Sequence, residues 1–153
     1  MKIRVLNSKE IKKVVKSIES QYSINNFKPG FAFIEGAEDK LFVIDKKLAE
    51  IDMGLLRVNS LGMYFGTSES DKVRLSIEGS QVIGPMAKKN VVDLSKNQVD
   101  DWIRGSDVEV GCDGNDFVLI KHNDDFFGSG KLSRGRILNF VPKSRRIKAL
   151  NQA

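Results

Sequence analysis

The chain is poor in the residues that covalent stapling and catalysis need. Cys112 is its one cysteine and His122 its one histidine among 153 residues. A lone thiol excludes an intrachain disulfide and a cysteine-rich zinc cage, and one imidazole cannot build a histidine-rich metal site. Free cysteine is usually buried, so Cys112 is expected in the core or in a turn. No apolar run reaches the roughly 18–20 residues of a membrane-spanning helix. The start, Met1-Lys2-Ile3-Arg4-Val5-Leu6-Asn7, is too short and too polar for a secretory signal. The expectation is a cytoplasmic protein in a reducing compartment, with no metal, no cofactor and no membrane partner.

A second scarcity is local. Residues 126–153 contain no Asp or Glu, while the bases there are Lys131, Arg134, Arg136, Lys143, Arg145, Arg146 and Lys148. Residues 91–125 are the reverse. Asp93, Asp100, Asp101, Asp107, Glu109, Asp113, Asp116, Asp124 and Asp125 stand there against only Lys96, Arg104 and Lys121. The net charge of +5 hides this polarity. An unbroken run of one sign points to a ligand of the other. Each cation set on a nucleic-acid phosphate releases a condensed counterion, and arginine's planar fork meets phosphate oxygens in pairs. The plainer alternative is that these bases pair with the acidic stretch inside the same fold.

Length and composition fit one domain or two small ones. Ile11, Val14, Val15 and Ile18 recur at helical spacing, behind an Asn7/Glu10 capping box. Lys9, Lys12, Lys13 and Lys16 cover much of the opposite face, as a solvated surface or an RNA contact. Residues 31–34 and 41–44 are apolar runs joined by a polar loop, a hairpin pattern. A helical turn is expected at 46–50, strands at 55–61 and 63–65 broken at Gly62 and Gly66, a polar turn at 67–72, and a strand at 73–77. A short helix over 78–84 should stop at Pro85. A boundary falls near 86–90, and Val91 opens a new strand. Ser95 caps a helix carrying Val99, Trp102 and Ile103, ended by Gly105. Trp102 is expected in the core. Residues 108–110, 117–121, 126–132 and 137–141 read as strands, with a tight turn at 113–115. The fold class is α+β: an N-terminal α+β unit over residues 1–88, then a small, mostly antiparallel β-barrel or roll with one main helix over 89–153, ending in a basic tail.

Catalytic patterns fail on inspection. Gly128-Ser129-Gly130-Lys131 imitates a phosphate-binding loop, but Asp125 stands where the first glycine belongs and Leu132 where Ser or Thr belongs. Glycines that let backbones approach closely explain the run better. His122 reads as a turn or surface histidine, and Asp124-Asp125 as a polar turn, since no calcium-loop pattern surrounds them. Tyr64 or Phe65 could stack on a base or simply fill a strand face. No nucleophile, base and orienting group occur together, so the chain is expected not to be an enzyme.

Two stretches carry a resemblance. Phe126-Phe127-Gly128-Ser129-Gly130-Lys131, with Arg136-Ile137-Leu138-Asn139-Phe140-Val141-Pro142-Lys143-Ser144-Arg145-Arg146, resembles the end of a PUA domain. It is similar in particular to the PUA-like modules associated with Nol/Nop/Sun-type rRNA cytosine methyltransferases. Asp101-Trp102-Ile103-Arg104-Gly105-Ser106-Asp107 resembles the helix-to-strand junction of that module, and the likeness covers roughly 90–147. Ser60-Leu61-Gly62-Met63-Tyr64-Phe65-Gly66, Val73-Arg74-Leu75-Ser76 and Pro85-Met86-Ala87 are similar to the pre-PUA domain of a large-subunit ribosome-biogenesis factor family. The resemblance implies a stand-alone pre-PUA plus PUA protein of archaeal type. It would bind structured RNA, rRNA or else tRNA, in ribosome biogenesis or RNA modification, without catalysing a reaction. The implied RNA-binding residues are Arg104, Lys131, Arg134, Arg136, Lys143, Arg145, Arg146 and Lys148, with the tail arginines exposed. An rRNA methyltransferase or a ribosome-biogenesis factor is the implied protein partner. A rival reading is an adaptor that docks such an enzyme through the acidic 91–125 face.

Overall fold

The structure is a computed structural model that describes residues 3–47, 49 and 62–147. It is α+β, built on two five-stranded sheets. The first is an antiparallel meander of β1 (Arg4–Val5), β2 (Ala32–Glu35), β3 (Lys40–Ile44), β4 (Met63–Glu69) and β5 (Lys72–Leu75), in that spatial order. Helix α1 (Ser8–Tyr22) covers it, and the short α2 (Ile77–Ile83) follows. The second sheet holds β6 (Val91–Asp93), β7 (Val108–Glu109), β8 (Phe117–His122), β9 (Asp125–Ser133) and β10 (Arg136–Asn139), in the order β6-β8-β9-β10-β7. It curls into a half-barrel against α3 (Lys96–Ile103). Among the described strands only β6 and β8 pair in parallel, the crossover between them containing α3 and β7.

Local chemistry starts both longer helices. At α1, Asn7 accepts from the Glu10 N–H at 2.9 Å while the Glu10 carboxylate accepts from the Asn7 N–H at 3.0 Å. Those two bonds satisfy donors that the first helical turn leaves free. The Asn7 N–H, and the Arg4 guanidinium beside it, hold the Glu10 carboxyl below its ordinary range. At α3, Ser95 and Gln98 form the same reciprocal pair.

Several expected elements differ in extent. Strand β4 is not broken at Gly66 but runs through it to Glu69. Leu41 pairs with Gly66 and Phe42 with Tyr64, so Phe65 is the extra residue of a bulge, and its ring is fully buried. The polar turn shrinks to Ser70 and Asp71. Ser76 ends the 73–77 strand early, because its hydroxyl caps α2 by accepting from the Gly79 N–H. Residues 113–115 form an irregular loop, and Cys112 is exposed in it, not in the core. Near 46–50, the Ala49 N–H donates to the Asp45 carbonyl at 3.2 Å. Lys46 and Lys47 form a turn, while residues 48 and 50 and the expected 55–61 strand lie outside the described residues.

One core serves both sheets. Leu119 and Phe126 of the second sheet sit in a cluster with Tyr22, Phe33, Phe65, Leu75 and Ile83. A second cluster gathers Trp102, Val118, Ile120 and Ile137 under α3. Trp102 is fully buried and donates its indole N–H to the Phe127 carbonyl at 2.8 Å. It lies over Gly130, where a Cβ would sit 2.6 Å from the indole and from the Leu138 carbonyl, so the glycine run serves close packing. Hydrogen bonds cross between the sheets as well. The Ser129 hydroxyl donates to the Leu75 carbonyl at 2.6 Å, and the Gly128 N–H to the Ser80 hydroxyl at 2.9 Å. The 86–90 junction is tied down by Lys88 N–H to the Tyr22 carbonyl and the Asn90 side chain to the Gln21 carbonyl. Gln21 is itself buried and clamps both the N–H and the carbonyl of Val73.

Candidate nucleic-acid interface

Strands β9 and β10 form a hairpin whose two-residue turn is Arg134-Gly135, with φ of 53° and 79°. Two successive positive φ values match the right-handed twist of the flanking strands. The turn puts Arg134 at the exposed tip. Lys131 pairs across the ladder with Leu138, and Arg136 with Ser133. Alternation then sets Lys131 and Arg136 on the same outward face, while Leu132 and Ile137 go into the core. Arg136 also stands opposite Glu109 and reaches Asp107 at 3.9 Å. Among the described residues no ion pair involves Arg104, Lys131, Arg134 or Lys143.

The other expected residues are placed elsewhere. Arg104 caps the C-terminal end of α3 and is exposed. The chain after Val141 returns to that end, where the Ile147 N–H donates to the Ile103 carbonyl at 2.9 Å. Arg146 is half-buried against Gly105 and donates its Nε–H to the Val141 carbonyl at 3.0 Å, so it is less free than a tail arginine was expected to be. Lys143 is exposed in a 3-10 turn. Arg145 is exposed too, yet both terminal nitrogens bind the Glu78 carboxylate, at 3.0 and 2.6 Å. That guanidinium holds the Glu78 carboxyl below its ordinary range, and Glu78 raises Arg145 in turn. Lys148 lies outside the described residues. The hairpin thus unites Lys131, Arg134 and Arg136, while Arg104 and Arg146 share the α3 terminus and Arg145 faces the first sheet.

Aromatic side chains extend the basic face in a way that sequence reading missed. Lys131 Nζ lies 5.9 Å from the Phe117 ring centroid, and Phe117 meets Phe140 edge-on at 6.1 Å. Arg74 of β5 sits over Phe140 at 4.5 Å. Arg74 and Phe140 are far apart in the chain, and no spacing rule links them. Of the two aromatics expected to stack on a base, Phe65 is buried between other rings, while Tyr64 is half-buried and bonds the Thr67 hydroxyl.

The remaining polar candidates are structural. His122 ends β8 with Nδ1 2.8 Å from the Leu94 carbonyl, which makes that nitrogen the protonated one. Asp124 is exposed in the β8–β9 turn and Asp125 opens β9. No group of three or more His, Cys, Asp or Glu among the described residues is arranged to hold a metal ion. No helix of the described residues is long and apolar enough to cross a membrane.

A sheet curled around one capped helix, with a basic outer hairpin, is consistent with a PUA-like fold. Residues 89–147 match the family model described as the methyltransferase RsmF PUA domain. The chain is also similar to the ribosomal RNA small subunit methyltransferase F of Vibrio atlanticus (strain LGP32), with 27% identity over 92 residues. That alignment covers 60% of this chain and 20% of the relative, so the chain spans about a fifth of that protein's length. Ninety-two residues are more than 89–147 can supply, so the likeness continues outside the matched module.

Proposed function

We propose that the chain is a non-catalytic RNA-binding protein acting on rRNA in ribosome biogenesis or RNA modification. The observation that carries this reading is the hairpin inside the matched module, which exposes Lys131 and Arg134 with no ion-pair partner among the described residues. Phosphate contacts there and at Arg104, Arg136, Lys143 and the tail would supply affinity. RNA shape and a few unpaired bases would supply specificity. The N-terminal unit, residues 1–88, is read as a pre-PUA domain and 89–153 as the PUA domain, with tRNA as the second candidate RNA. An archaeal-type protein of this kind would work beside a methyltransferase or a biogenesis factor that carries the chemistry. The extension of the Vibrio likeness beyond 89–147 supports treating the two units as one working piece.

Fluorescence anisotropy on a labelled stem–loop of small-subunit rRNA tests the reading. Lys131→Glu/Arg134→Glu is expected to weaken binding by about tenfold or more, and to flatten the log affinity against log salt slope by about 2. An unchanged slope in this folded double variant would remove the hairpin from the interface.

A further inference from the structure

The strip that begins at Lys131 ends in a groove of about 240 Å³ between the two sheets. Its lining includes Lys40, Tyr64, Arg74 and Glu78 together with Phe140 and Arg145. Each ring carries a cation: Lys40 Nζ lies 6.0 Å from the Tyr64 centroid, and Arg74 covers Phe140 at 4.5 Å. Arg145 stands at the rim, held by Glu78. Three cations and a single carboxylate therefore surround two aromatic faces.

We infer that this groove takes one unpaired nucleotide of a bound RNA. Its base would stack on the Tyr64 ring and on the Arg74 guanidinium that covers Phe140, and its phosphate would meet Lys40 and Arg145. The inference rests on the RNA-binding reading above and adds the place where a base is read. A purely apolar ligand would gain nothing from three cations, and a bare anion would have no use for two rings. A nucleotide has a flat π-face and an anion joined together. Paired RNA cannot supply the base, because its bases stay stacked and its deep groove is closed to side chains. Arg145 is set for the phosphate, since its two bonds to Glu78 occupy two of a guanidinium's five N–H donors and leave the others available. The site needs both units. Lys40, Tyr64, Arg74 and Glu78 come from one and Phe140 and Arg145 from the other, while Phe117 links it to the hairpin.

The test uses the full chain and two RNA hairpins, identical except that one carries a single bulged 2-aminopurine. Base–aromatic stacking contributes about 1–3 kcal/mol per base, so the bulged RNA is expected to bind roughly 5- to 150-fold tighter, with its fluorescence quenched on binding. Phe140→Leu/Arg74→Gln should erase that preference and keep the affinity for the fully paired hairpin. Lys40→Gln/Arg145→Gln, at two exposed side chains, should reduce the preference without loss of packing. Equal binding of both RNAs by the parent chain, a preference that survives in the folded Phe140→Leu/Arg74→Gln variant, or one undiminished in the folded Lys40→Gln/Arg145→Gln variant would overturn the inference while leaving RNA binding intact. No binding of either RNA would instead bring down the RNA-binding reading itself.

Discussion

In the N-terminal sheet, three of the four basic side chains meet acids, Lys40 being the exception among the described residues. Arg4 reaches Glu10 at 2.6 Å and Glu35 at 3.4 Å, Arg74 reaches Glu69 at 3.6 Å, and Lys72 reaches Asp116 at 3.2 Å. On the C-terminal hairpin, Lys131 and Arg134 meet none among the described residues, and Arg136 comes only within 3.9 Å of Asp107. The residue types are the same, and exposed ion pairs of this kind contribute little to stability. The difference lies in availability. A paired cation already has part of its charge and some of its donors engaged by a carboxylate, and an unpaired one offers all of them to a phosphate.

The largest expected effect tests whether the two sheets are separable at all. Trp102→Ala empties the centre of the second cluster and should cost about 3–5 kcal/mol. Because Leu119 and Phe126 belong to the first cluster, amide signals of both sheets should disappear in one thermal transition. Survival of the N-terminal sheet's signals above that transition would show two independent bodies. A smaller effect sharpens the contrast in charge. Arg4→Glu should leave affinity for the rRNA stem–loop within about twofold, against the tenfold or greater loss on the hairpin, since the salt-dependent term follows phosphate contacts and not total charge. An equal loss in the same anisotropy assay would mean that both sheets face the RNA.

The smallest effect concerns the pair that joins the units. Glu78 titrates below its ordinary value of 4.5 in the fold because Arg145 bonds its carboxylate. A folded value below the unfolded one means the pair contributes fully above about pH 4.5 and is lost as pH falls through the lowered value. The Arg145 side chain is 46% exposed, so the contribution is under about 1 kcal/mol. An NMR titration of the Glu78 carboxyl should show a midpoint below 4.5 that moves up in Arg145→Gln. A midpoint at or above 4.5 in the parent chain would show that the pair does not persist in solution.

Much of the fold was legible because its causes are local. Asn7 with Glu10 and Ser95 before an apolar helix face are capping patterns, and Phe117 to Ile120 is an apolar run long enough for a strand. The α+β class and the basic hairpin followed from such signals. What failed depended on neighbours. Gly66 looked like a strand breaker, but the bulge at Phe65 lets β4 continue. Ile77 looked like strand, but the Ser76 hydroxyl starts a helix there. Cys112 was open between core and turn, and its loop carries it into solvent. The groove was invisible for the same reason: Lys40, Arg74 and Phe140 meet only once both sheets have formed. Tyr64, singled out as a stacking candidate, and Arg145, an expected RNA contact, were the residues of it within reach of sequence reasoning.

The shared core also bears on portability. Cut out alone, residues 89–147 would keep Trp102 and its cluster but lay bare the faces of Leu119 and Phe126 that now press against Phe33, Phe65 and Ile83. Any host that receives this stretch must therefore bring an apolar lid of its own, and where it lacks one the graft will seek another surface to cover it.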